Sequence, residues 1–80
     1  MLLDYINTAM HEARYELLGD NEGFYGEIPA CQGVFANAES LERCRDQLAE
    51  VLEDWIVLRI SQGLEIPTID GKTIRIRQVA

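Results

Sequence analysis

The chain has 80 residues, and 14 acidic against seven basic side chains give it a net charge of -7. This length predicts one domain, residues 1–80, and the acidic balance has the wrong sign for holding a phosphate backbone. A basic protein partner is therefore favoured over a nucleic acid. No stretch approaches the roughly 18 apolar residues of a membrane span, and no basic region precedes the N-terminal apolar stretch, so a cytoplasmic location is expected.

The first predicted element is a short amphipathic helix near the N-terminus. Its apolar side chains are Leu2, Leu3, Tyr5, Ile6, Ala9, Met10 and Ala13. His11 lies in the same segment and is the chain's one histidine. A metal site with two histidines therefore cannot form within a single chain, and we interpret His11 as an ordinary helix residue.

Three short runs rich in aromatic and aliphatic residues come next, at residues 15–18, 24–28 and 34–38. Residues 19–23 are glycine, aspartate, asparagine and glutamate, which is typical of the loop of a β-hairpin. Pro29 and Gly33 separate the second run from the third. The pattern predicts three antiparallel strands in meander order.

A long amphipathic helix is predicted over residues 41–62. Side chains at three- and four-residue steps form its apolar stripe: Leu41, Cys44, Leu48, Val51, Leu52, Trp55 and Leu58. Ser40 is suited to cap the N-terminus, and Gly63 is suited to end the helix. Trp55 is predicted to be a core anchor rather than a ligand platform.

A last strand is predicted near the C-terminus, after a turn at Asp70 and Gly71. Polar and apolar residues alternate there, through Thr73, Ile74, Arg75, Ile76 and Arg77. This period of two is typical of a strand. The fold class is therefore predicted as α+β, in the order β-β-β-α-β after a short N-terminal helix. Lys72 adds to the basic residues of this segment, which we interpret as solvated rather than as a nucleic-acid site.

Self-association is expected, because an 80-residue domain buries only about 60% of its unfolded surface and has little stability to spare.

Cys31 and Cys44 lack the spacing of a metal motif, and a disulfide is not expected in the cytoplasm. Cys44 lies on the apolar stripe, whereas Cys31 lies in a loop, where a reactive thiol is an alternative.

A second reason to expect self-association is that a sheet with one helix leaves an edge or a face uncovered. A homodimer or higher homo-oligomer is predicted.

One enzymatic alternative rests on three acids of the first hairpin, Glu16, Asp20 and Glu27. Clustered carboxylates hold two Mg²⁺ ions in ribonuclease H-like nucleases. That chemistry needs acids that converge from separate elements, whereas these three alternate with turn residues on a solvated hairpin. A metal-dependent nuclease is therefore the least favoured interpretation.

The order and spacing of several residues resemble the HicB family of antitoxins, in its short members that consist of the N-terminal domain alone. The matching residues are Asp20, Gly23, Tyr25, Gly26, Glu27, Ile28, Pro29, Gly33, Val34, Ser40, Leu41, Glu42, Leu48, Leu52 and Trp55. They lie between residues 15 and 66. The sequence departs from the family pattern before the long helix, where Asn37 and Ala38 replace a common glycine, and at Arg43 and Cys44, which replace a usual Glu-Ala pair.

The resemblance implies a β-β-β-α-β domain, related in outline to part of a ribonuclease H fold, that binds and masks a small basic mRNA-cleaving toxin of the HicA type. Such an antitoxin is not an enzyme, so no catalytic residue, cofactor or metal is expected. Asp20, Glu22 and Glu27 are the predicted partner-binding residues. Many family members carry a second, DNA-binding domain, and this sequence ends at Ala80, so direct DNA binding is not expected. The alternative is a solo oligomeric regulatory domain without a toxin partner.

Overall fold

A computed structural model describes residues 2–74 and shows five regular elements, with one sheet packed against a long helix. They are α1 (Leu2–His11), β1 (Arg14–Leu17), β2 (Phe24–Glu27), β3 (Phe35–Ala38) and α2 (Leu41–Ser61). The α+β class, the N-terminal helix, the three strands and the long helix are confirmed. Most of the predicted last strand falls after residue 74 and so lies outside the described residues.

The strands form an antiparallel sheet in the order β1-β2-β3, as the meander predicts. The register aligns Tyr15 with Gly26 and Gly26 with Ala36. Gly26 and Ala36 are both buried, and the Sγ of Cys44 on α2 donates to the carbonyl oxygen of Ala36 at 3.6 Å. These residues therefore mark the face of the sheet that α2 covers.

Both ends of α2 are fixed by local hydrogen bonds. At the N-terminus, the Ser40 hydroxyl accepts from the backbone N–H of Arg43 at 3.1 Å, as predicted. At the C-terminus, Gly63 has φ +69°, its N–H donates to the Ile60 carbonyl, and the next N–H donates to the carbonyl of Arg59. That pair of bonds is a Schellman motif, which needs a residue with positive φ and favours glycine.

The buried stripe of α2 is narrower than predicted. It consists of Cys44, Leu48, Leu52 and Ile56. The prediction was wrong for Leu41 and Leu58, whose side chains are 46% and 54% exposed, and it missed Ile56. The buried residues follow one another in steps of four, so they lie on one face of the helix. A helix turns about 100° per residue, and Leu58, two residues after Ile56, is therefore about 200° further around the axis, on the other side of the helix. Leu41 lies in the first turn, beside the end of the sheet.

Trp55 lies at the margin of the core rather than inside it, which corrects its predicted role as a core anchor. Its side chain is partly buried and packs against the core cluster. The indole N–H donates to the carbonyl of Gln32 at 3.1 Å, and the guanidinium of Arg59 lies 4.8 Å from the ring centroid. Trp55 therefore joins α2 to the loop between β2 and β3, with one part of the ring covered by an arginine.

The segment after α2 folds back onto α1. Ile66 and Ile69 are buried, and the Tyr5 hydroxyl donates to the carbonyl of Pro67 at 2.6 Å. Asp70 and Gly71 have φ +49° and +75° and form the predicted turn, which a bridge between Ile69 and Lys72 closes. None of the helices within residues 2–74 combines the length and apolarity that a membrane crossing needs.

Candidate functional site

The second face of the sheet has no helix of residues 2–74 against it. Because side chains alternate across a strand, the residues beside Tyr15, Gly26 and Ala36 in sequence point away from α2. The register places six of them in a grid: Arg14 and Glu16 on β1, Tyr25 and Glu27 on β2, and Phe35 and Asn37 on β3. We call this grid the open face.

An aromatic pair lies in the open face. The rings of Tyr25 and Phe35 are stacked, with centroids 6.2 Å apart and an interplanar angle of 26°. Phe35 is 56% exposed although it is a large apolar side chain. Aromatic pairs on adjacent strands stabilise a sheet, but one left this accessible is also available to another molecule.

Two carboxylates flank the hydroxyl of Tyr25. Glu27 accepts a hydrogen bond from it through Oε1 at 3.0 Å, and Glu16 lies directly across the β1–β2 pair from Tyr25. The hydrogen bond to Glu27, with smaller contributions from desolvation and from the charges of Glu27 and Glu16, raises the pKa of Tyr25 above its usual value. The phenol therefore stays neutral, and the negative charge of this part of the face belongs to the two glutamates.

The three predicted partner-binding residues are not brought together. Asp20 and Glu22 are exposed in the turn between β1 and β2, where Asp20 has φ +55°. Glu27 is at the opposite end of β2, about 16 Å from Glu22 at the rise of an extended chain. The structure instead places Glu27 beside Glu16. Asn37 connects the open face to the turn, since its Nδ2 donates to the carbonyl of Glu22 at 3.4 Å and to that of Phe24, at the start of β2, at 2.8 Å.

Sequence reasoning missed Phe35 and Tyr25 as surface residues. Aromatic residues on predicted strands are normally assigned to a core, and the sequence does not say which face α2 covers. A usable signal was present in β2 and the residue that follows it, where Gly26 and Ile28 alternate with Tyr25 and Glu27. A strand with glycine and isoleucine on one face and a glutamate on the other would place that glutamate, and Tyr25 with it, towards solvent.

The carboxylates of the enzymatic alternative do not converge either. Asp20 is in the turn, whereas Glu16 and Glu27 are on the open face. Within residues 2–74, no three histidine, cysteine or acidic side chains are grouped so that they could hold a metal ion. His11 is exposed, with Nδ1 3.2 Å from the carbonyl oxygen of Asn7.

Both cysteines are buried and lie in the core cluster. Cys44 was predicted there. Cys31, considered as a reactive loop thiol, has a side chain only 1% exposed, and burial raises the pKa of its thiol. A reactive cysteine needs an accessible thiolate, so the structure contradicts that interpretation of Cys31.

A half-open cavity of about 370 Å³ lies on the other side of the sheet, between the end of α1 and the start of α2. Its lining is mixed: Asn7, Met10, His11, Ala13, Tyr15, Leu41, Glu42 and Arg45. It separates the first turn of α2 from β1, which explains why Leu41 and Tyr15 are exposed. Its polar groups carry both signs of charge and do not define one ligand.

The sequence model of one protein family, described as UPF0150-like, matches residues 4–67. The chain belongs to the UPF0150-like family. This small family is related to the HicB-type antitoxins, although the match does not name HicB itself. The matched residues run from α1 through all three strands and α2 to Pro67, so they include the whole open face.

This UPF0150-like chain is similar over nearly its full length to a solved structure. It is the crystal structure of TTHA0281 from Thermus thermophilus, which is 40% identical in sequence. The alignment covers 96% of this chain and 95% of the other, with a TM-score of 0.90. No curated protein matches the chain.

Proposed function

We propose that this UPF0150-like protein is a non-catalytic, antitoxin-like binding protein that neutralises a small basic mRNA interferase of the HicA type. The observation that carries this proposal is the open face, an uncovered sheet surface with two glutamates around an aromatic pair of which Phe35 is exposed. The relation of the family to HicB-type antitoxins supports the same interpretation.

Charge favours a basic partner. The chain has a net charge of -7, and its acids include Asp20 and Glu22 in the turn next to the open face. Complementary potentials accelerate encounter and disfavour wrong partners, while the central apolar contacts supply most of the affinity. The turn acids are therefore suited to attract the partner, and Tyr25 and Phe35 are suited to hold it.

The proposal is tested by measuring association with a basic HicA-type protein encoded beside this gene, at low and moderate salt. We expect Asp20→Lys/Glu22→Lys/Glu27→Lys to slow association at low salt by about tenfold or more, because electrostatic steering changes association rates by about 10- to 1000-fold. The slowing should shrink as salt screens the charges.

The matched control is Glu50→Lys/Glu53→Lys/Asp54→Lys, which makes the same change in net charge at exposed positions on α2. If the control slows association as much as the first variant does, the attraction is global and the three predicted residues are not at the interface. If the wild-type chain does not bind the basic protein at all, the proposed function is wrong.

Self-association is the second candidate property, and exposed apolar side chains on α2 favour it. Val57 and Leu58 are adjacent, and their side chains are 65% and 54% exposed. We expect light scattering at micromolar concentration to give a mass about twice the 9.1 kDa of one chain. Val57→Glu/Leu58→Glu should lower the measured mass to that of one chain. A wild-type mass near 9.1 kDa would contradict the prediction of self-association, and an unchanged dimer mass in the variant would place the interface elsewhere.

A further inference from the structure

We propose that the open face binds an arginine side chain of a protein partner, with the guanidinium over the Tyr25–Phe35 pair and between the carboxylates of Glu16 and Glu27. This rests on the proposed function in that it specifies the chemical group by which a basic partner is recognised. The arginine site lies at a different place from the predicted partner-binding acids Asp20 and Glu22, which are in the turn and are not part of this site.

The register places carboxylates on two sides of the ring pair. Glu16 is directly across from Tyr25, and Glu27 is directly across from Phe35. Residues opposite one another in an antiparallel pair have Cβ atoms about 5 Å apart, and diagonal neighbours are within about 8 Å. A flat cation that stacks on the rings is therefore within reach of both glutamates.

The chemistry of this surface selects guanidinium over ammonium. Arginine presents a planar group that stacks on an aromatic face and donates several hydrogen bonds within its own plane, whereas lysine presents a compact, strongly hydrated charge. Glu27 already uses Oε1 to accept from the Tyr25 hydroxyl at 3.0 Å, which holds the carboxylate at the side of the rings. The remaining carboxylate lone pairs can accept from a guanidinium.

The chain contains an example of this arrangement at another place. The guanidinium of Arg59 lies 4.8 Å from the centroid of the Trp55 ring, and its Nε donates to the carbonyl of Glu65 at 2.7 Å. An arginine thus stacks on an aromatic ring and donates to an oxygen beside it. The open face offers two aromatic rings and carboxylate acceptors, and hydrogen bonds to a charged acceptor are stronger than those to a carbonyl.

Arg14 is the one basic residue of the open face, and it lies directly across from Glu27. Its charge partly offsets that of the glutamates and repels an incoming cation. Removing the Arg14 charge should therefore strengthen binding of a cationic side chain. A surface that bound its ligand only through apolar contacts would not respond to this substitution.

An RNA strand is the main competing ligand, since bases also stack on exposed aromatic rings. The two glutamates and the net charge of -7 oppose it, because a phosphate backbone needs basic side chains. A uridine oligonucleotide is therefore included in the test, and its binding to the open face would overturn the proposal.

The test is titration of the full chain, labelled with ¹⁵N, with three peptides that differ at one residue: acetyl-Gly-Arg-Gly-amide and its lysine and citrulline versions. Citrulline keeps the shape of arginine without the charge. We expect amide shifts at Glu16, Tyr25 and Phe35, a dissociation constant for arginine about threefold or more below that for lysine, and no binding of citrulline. Equal binding of arginine and lysine, or shifts confined to other residues, would overturn the proposal.

Three variants make the test specific. Phe35→Leu and Glu16→Gln should each weaken arginine binding by about threefold or more, and Arg14→Gln should strengthen it; Glu53→Gln on α2 is the control with unchanged binding. All of these positions are exposed, so the fold is retained. Unchanged binding by Phe35→Leu would remove the aromatic pair from the site.

The experiments distinguish failure of the arginine site from failure of the proposed function. If arginine peptides bind the open face but a basic HicA-type protein does not bind the chain, the proposed function is wrong and the arginine site remains. If such a protein binds wild type and Phe35→Leu equally well, the proposed function remains and the arginine site is wrong.

Discussion

Leu48→Ala is expected to lower the free energy of unfolding by about 2 to 5 kcal/mol. Leu48 is fully buried on α2, in the middle of the stripe that packs on β2 and β3. Truncation removes the transfer energy of the side chain and leaves a cavity that the sheet on one side and the helix on the other cannot close. A domain of this size is stable by only about 4 to 12 kcal/mol, so this is a large fraction of the total.

Leu41→Ala is the matched control, because it makes the same change on the same helix. The Leu41 side chain is 46% exposed, and surface substitutions of this kind stay within about 0.5 kcal/mol. Urea unfolding followed by circular dichroism measures both variants. Equal losses at the two positions would mean that Leu41 is buried in the folded protein in solution, as the sequence pattern predicted.

Gly23→Ala is expected to destabilise the protein by about 3 kcal/mol or more. Gly23 has φ +86°, a conformation that costs a residue with a side chain about 1 kcal/mol or more. A Cβ at this position would also lie 2.3 Å from the carbonyl oxygen of Ala38, which is backbone and cannot rotate away. The end of β3 would have to separate from the start of β2 to admit the methyl group.

Gly19→Ala is the control for Gly23, because it lies in the same turn and has no atom within 4 Å of the position a Cβ would take. It should change stability by less than about 1 kcal/mol. Thermal unfolding of both variants, monitored by circular dichroism, gives the comparison. A Gly23→Ala protein that melts with wild type would show that the β2–β3 contact is looser in solution than in this structure.

The turn that Gly23 ends also carries Asp20 and Glu22, so its geometry matters for the proposed function. The Leu18 N–H donates to the Gly23 carbonyl at 2.8 Å and closes the turn. Gly23→Ala should therefore disturb the position of both acids as well as the fold. A substitution at Gly19 leaves that hydrogen bond in place, which separates an effect on stability from an effect on partner binding.

Within residues 2–74, local chemistry in the sequence was sufficient for the type and order of the elements. Ser40 and Gly63 bracket α2 because capping depends on hydrogen bonds within a few residues, which one segment contains in full. The same holds for the turn at Asp70 and Gly71. The strands were likewise marked by turn residues that separate them. No such local signal exists for contacts between distant segments.

The sequence could not decide which side chains on these elements are covered. Leu41 and Leu58 fit the apolar period of α2, yet only the packing of that helix on β2 and β3 selects Cys44, Leu48, Leu52 and Ile56 for burial. The candidate site likewise depends on tertiary structure. Glu16, Tyr25, Glu27 and Phe35 come from three strands and become neighbours through the register of the sheet. Sequence by itself determined the elements and the acidic charge, and tertiary structure alone decided that one face of the sheet stays open, because one long helix can cover only one face.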